Sequence, residues 1–88
     1  MPLIVLENRY DPPVDPETFL KGDDGLNHCL AERNIVWLHS YLSSDGSRSV
    51  CLFEAPDAES VRESFRRSQQ PFGSAWSAQL IDPHTGQT

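Results

Sequence analysis

Hydrophobic and polar positions divide the chain into short segments with little slack between them. Leu3-Ile4-Val5-Leu6 is an unbroken apolar run, ended by Glu7-Asn8-Arg9 and Asp11-Pro12-Pro13, and it predicts a first strand. An apolar run without alternation fits an interior strand covered on both faces. Asp15-Pro16 then supplies an N-cap and a proline at the first helical position. Phe19, Leu26, Cys29 and Leu30 fall on one helical face. Gly22 and Gly25 each cost about 0.8–1 kcal/mol relative to Ala inside a helix, so this helix is predicted to kink or break near 22–25. Asn34 suits a left-handed helix end.

Ile35–Leu42, which carries large side chains on both faces, and Arg48–Glu54 predict a hairpin around Asp45-Gly46, a pair that suits a type I′ turn. A two-residue loop pairs Trp37 with Glu54, Leu38 with Phe53, His39 with Leu52, Ser40 with Cys51 and Tyr41 with Val50. Val36, Leu38, Cys51 and Phe53 then share one face, assigned to the core. Trp37, His39, Tyr41, Val50, Leu52 and Glu54 share the other. A one-residue slip would exchange these faces. Pro56-Asp57 opens a second helix with Ala58, Val61 and Phe65 as its buried stripe, and Pro71 closes it. Ser74–Ile81 alternates as a last strand, with Trp76, Ala78 and Leu80 on one face.

The order β-α-β-β-α-β predicts an α+β, ferredoxin-like domain over residues 1–82: a four-stranded antiparallel sheet with two helices on one face. Residues 83–88 form a polar tail. The predicted open sheet face is too apolar and aromatic to stand in water. Stacking two such faces gives a dimeric α+β barrel, so the expected partner is a second copy of the chain.

Composition narrows the function without naming it. Eighty-eight residues make one domain with a marginal core, for which oligomerisation is a common supplement. The net charge of −6, with basic residues clustered only at Arg62, Arg66 and Arg67 among Glu59 and Glu63, disfavours nucleic acid and anionic membrane as partners. The Arg/Glu cluster reads as a solvated helix face. No apolar run approaches the length of a membrane span, the first residues lack the basic region of a signal peptide, and Cys29 and Cys51 form no disulfide-type pattern. A reduced, cytoplasmic setting is expected.

Candidate chemistry gathers on the open face. His39, mid-strand between aromatics, is suited to titration near neutral pH or to metal ligation. Glu54 is a potential base or metal oxygen, Trp37 and Tyr41 are potential walls of a ligand site, and Glu7 ends the first strand where a carboxylate could reach the same cleft. His28-Cys29 is not a chelating pair, because adjacent helical residues diverge, and Cys51 reads as a small core residue. No nucleophile elbow, phosphate loop, dinucleotide fingerprint or zinc-protease motif occurs.

Glu7 after an apolar strand, Cys29-Leu30 with Glu32, Ile35-Val36-Trp37-Leu38 with Ser40-Tyr41, and Val50-Cys51-Leu52-Phe53-Glu54-Ala55-Pro56-Asp57-Ala58 with Val61-Arg62 resemble a family of small bacterial ferredoxin-like proteins. That family was formerly a domain of unknown function and is named after a nickel-binding protein. The resemblance extends to about Leu80. It implies a dimer and binding of a divalent transition metal, nickel in the first instance, with imidazole ligands near the end of the first strand. Here that strand ends in Glu7-Asn8-Arg9, and Gln70-Pro71-Phe72 also lacks histidine, so His39 and Glu7 are the metal-ligand candidates. Two other expectations stay open. One is a small-molecule binder or cofactor-free enzyme of monooxygenase or isomerase type, using His39, Tyr41, Glu54 and Trp37 in the barrel cleft. The other is an interaction module whose sheet face only pairs.

Overall fold

The computed structural model describes residues 1–86, so Gln87 and Thr88 of the expected tail lie outside the described residues. Strand β1 (Leu3–Arg9) is followed by helices α1 (Pro16–Lys21) and α2 (Asp24–Glu32), strands β2 (Val36–Leu42) and β3 (Arg48–Glu54), helix α3 (Ala58–Arg67) and strand β4 (Ser74–Ala78). The strands form one antiparallel sheet in the order β2-β3-β1-β4. The result is a small α+β fold, with β1 in the interior position that its unbroken apolar run predicts.

Each helix starts on an aspartate. Asp15, Asp23 and Asp57 accept hydrogen bonds from the backbone N–H of Thr18, Leu26 and Ser60, satisfying donors that the first turn leaves free. The predicted break falls at Gly22-Asp23: Gly22 ends α1 at φ +66°, and Asp23 caps α2. Asn34, at φ +57°, ends the α2 region while the Ile35 N–H donates to the Leu30 carbonyl.

One face of the sheet carries the core. Ile4, Leu6, Cys51, Phe53 and Ala75 pack against Leu30 of α2 and against Ala58, Val61 and Phe65 of α3. The Arg/Glu cluster of α3 is the solvated face expected, with Arg62, Arg66 and Arg67 paired to Glu59 and Glu63.

The hairpin differs from expectation in two ways. Its turn is longer than two residues: the Ser43 N–H donates to the Arg48 carbonyl, the Gly46 N–H to the Ser43 carbonyl, and Asp45 accepts from the Ser43 and Ser47 hydroxyls and the Ser47 N–H. Those bonds hold the Asp45 carboxyl down at about 2. The longer turn is centred on the same residues, so His39↔Leu52, Ser40↔Cys51 and Tyr41↔Val50 pair as predicted. The second difference is a bulge between Trp37 and His39. Trp37 pairs with Phe53 and Val36 with Glu54, which exchanges the faces assigned to the start of β2. Trp37 lies on the helix-covered side, edge-on to Phe19 at 6.1 Å, and its indole N–H donates to Ser40 Oγ at 2.7 Å. Val36 and Leu38, expected in the core, are 50% and 41% exposed. Burying an indole with its N–H satisfied removes more apolar area from water than burying a leucine, which favours this register. Strand β4 is also shorter than expected, ending at Ala78, and Leu80 and Ile81 are exposed.

Candidate functional site

The open sheet face is built by alternation. With the bulge placed, the side chains opposite the core form rows across β2, β3, β1 and β4. Tyr41, Val50, Glu7 and Ser74 make one row, His39, Leu52, Val5 and Trp76 the next, and Val36, Glu54, Leu3 and Ala78 the third. Arg9 and Arg48 stand directly opposite each other at one end. The centre of the face is tight, since Val5 is only 8% exposed, whereas Tyr41 (66%) and Trp76 (46%) stand bare at its sides.

Three of the four expected ligand-binding residues share this face. His39 and Tyr41 pack edge to face with ring centres 5.7 Å apart, and Glu54 is diagonal to His39 through the Leu52 pairing. Trp37 is not among them, because the bulge turns it to the other side.

The two expected metal ligands are on the same face but not together. Strand β3 separates His39 on β2 from Glu7 on β1, an offset of about 9–10 Å at the usual strand spacing. Glu7 also leans the other way: its Oε2 accepts the Trp76 indole N–H at 3.2 Å. Among the described residues, no group of three or more His, Cys, Asp or Glu side chains is placed to hold a metal ion. The remaining histidines are elsewhere, His28 paired with Glu32 on α2 and His84 beyond β4.

Trp76 is the functional candidate that sequence reasoning left unassigned. Alternation puts it on one face of the last strand, but only the pairing of Val5 with Trp76 says which. A second feature carried no sequence signal. A half-open pocket of about 380 Å³ lies on the helix-covered side, lined by residues from the sheet, the 10–14 loop and all three helices. Cys51 is in its lining, and burial pushes its thiol above the ordinary value.

Among the described residues, no helix is long and apolar enough to cross a membrane. No curated protein sequence matches the chain. Among solved structures, the crystal structure of SCO4226 from Streptomyces coelicolor A3(2) superposes with a TM-score of 0.74 over 89% of this chain and 96% of that one, at 14% identity. At that identity the likeness shows a shared fold. A family model described as nickel responsive protein SCO4226-like matches residues 5–77, from the middle of β1 almost to the end of β4. Strand order, helix placement and this match agree, and the chain belongs to the SCO4226-like family of nickel responsive proteins.

Proposed function

We propose that the protein is a metal-responsive homodimer of the ferredoxin-like α+β barrel type, which takes a divalent transition metal of the nickel class where two open sheet faces meet. The family supports the metal. The observation that carries the dimer is the open face itself, where Tyr41, Val36 and Trp76 are each about half or more exposed around a centre of Val5 and Leu52. Each Å² of such surface removed from water contributes roughly 25 cal/mol.

In this reading His39 is the nitrogen donor, the type that nickel, copper and zinc favour. Glu7 and Glu54 supply carboxylates. Within one chain these groups do not converge, so the donor set is completed across the two-fold axis. The reading assigns no catalysed reaction and a cytoplasmic setting.

Protein purified without a metal-affinity tag tests it by native mass spectrometry, elemental analysis and calorimetric titration with nickel and zinc. The expected result is a dimer that takes up about one ion, with uptake lost in His39→Ala. A metal content well below one per dimer, with no heat on titration of either metal, sinks the metal half. A monomer at micromolar concentration sinks both halves.

A further inference from the structure

The cavity beneath the helices lies on the opposite side of the sheet from the proposed dimer face, and the preceding reading does not use it. Its volume, about 380 Å³, falls in the range of small-molecule sites. For comparison, an apolar cavity of about 150 Å³ already admits benzene.

Its walls are aromatic and aliphatic. Cys51 and Phe53 line it from the sheet, Trp37 from the start of β2, Leu26 from α2, and Phe19 and Tyr10 from α1 and the loop before it. Among the described residues, Asp23 is the sole charged one in the lining, and its carboxylate accepts the Leu26 N–H at 2.8 Å. None of those lining residues is cationic. Polar capacity comes from the side-chain amides of Asn27 and Gln70 and from the Tyr10 hydroxyl, which is 2.8 Å from Ser49 Oγ.

The cover is separable from the rest of the core. Helix α1 has only six residues and buries none of them fully. It is joined to α2 through Gly22, at φ +66°, and it touches the cavity wall through Phe19, whose ring lies edge-on to Tyr10 and Trp37, each at 6.1 Å.

The geometry points to a binding site, beneath α1, for a neutral, largely aromatic small molecule of mono- or bicyclic size. A carboxylate or phosphate would find no cation there, and an ammonium group would give up its water for a single carboxylate, Asp23, among otherwise uncharged walls. The amides at Asn27 and Gln70 suit a guest with a hydroxyl or carbonyl at one end.

Titration of the full chain with the neutral bicyclic fluorophore 6-propionyl-2-(dimethylamino)naphthalene, which carries a carbonyl at one end, tests the site. The expected result is saturable enhancement at about one probe per chain, with quenching of Trp37 emission in a Trp76→Phe background. Filling the cavity should weaken that binding about tenfold or more, as 1.4 kcal/mol of lost affinity would. Two variants fill it, Cys51→Phe from the sheet floor and Leu26→Phe from the rim, each checked for folding by circular dichroism. Should Cys51→Phe fail to fold, Leu26→Phe decides, because Leu26 is only half-buried. Non-saturable enhancement, several probes per chain, or equal affinity in the folded filled variants would each overturn the assignment.

Discussion

The two faces of the sheet share the same strands, yet they are finished differently. On the covered face Ile4, Leu6 and Phe53 are at most 3% exposed, and every aromatic ring there has another ring within 6.3 Å. On the open face the central Val5 is nearly as buried, but the shielding comes from its neighbours in the sheet and fades outward to Tyr41 and Trp76. The comparison separates the face that the chain covers by itself from the face that it leaves bare at the sides.

The sharpest way to break that contrast uses neighbours on one strand. Phe53→Ala on the covered face should cost about 3–5 kcal/mol, enough to unfold much of a marginal domain. Leu52→Ala, one residue away, should cost about 1 kcal/mol or less in an isolated chain. If the faces pair, the Leu52→Ala loss should grow with protein concentration, because assembly adds stability by mass action. Urea denaturation at two concentrations separates these outcomes.

Gly46→Ala should come next, at roughly 1–3 kcal/mol. Gly46 has φ +77°, an added Cβ would sit 2.1 Å from the Val14 carbonyl oxygen, and the Val14 N–H donates to the Gly46 carbonyl at 2.9 Å. A denaturation midpoint equal to the parent's would show that the hairpin tip does not hold the 10–14 loop.

Tyr41→Asp sharpens the comparison from the open side. It should leave the folding of a single chain nearly unchanged, since Tyr41 is 66% exposed, while shifting a dimer to monomer in analytical ultracentrifugation. Identical sedimentation of variant and parent would mean that this part of the face is not an interface.

The smallest effect is in acid. The folded Asp45 carboxyl lies near 2 instead of 3.8, so its contribution is present above about pH 4 and is lost as the pH falls towards 2. The N-cap carboxylates Asp15 and Asp57 are shifted the same way by their backbone N–H bonds. Melting temperature should therefore decline below pH 4, less steeply in Asp45→Asn, which keeps the turn's acceptor but cannot titrate. Equal slopes would remove Asp45 from the account.

Elements whose signal is local were legible in the sequence. The helix starts at Asp15 and Asp57, the break near Gly22, the Asn34 terminator and the α3 stripe each depend on residues within one turn of one another, whereas the Asp23 cap showed only as part of the break. The pairing of His39, Ser40 and Tyr41 was legible too, because a turn lengthened equally on both sides preserves its centre. The bulge was not legible. It depends on whether Trp37 or Leu38 wins a place beside Phe19, a residue on another element. For the candidate site the consequence was partial: His39, Tyr41, Glu7 and Glu54 reach the expected face, Trp37 does not, and Trp76 takes a place there that only register reveals. The cavity under α1 lay beyond sequence reasoning altogether, since it is a volume the side chains leave between them.

The irregularity at Leu38 gives β2 a phase change midway along its length. Removing that single residue would straighten the strand and leave its inside-out code intact: the indole would directly precede His39, still opposite Phe53 and still inward, with valine still facing out. Natural variants with one residue fewer between Asn34 and His39 should therefore carry their bulky ring immediately before the position of His39.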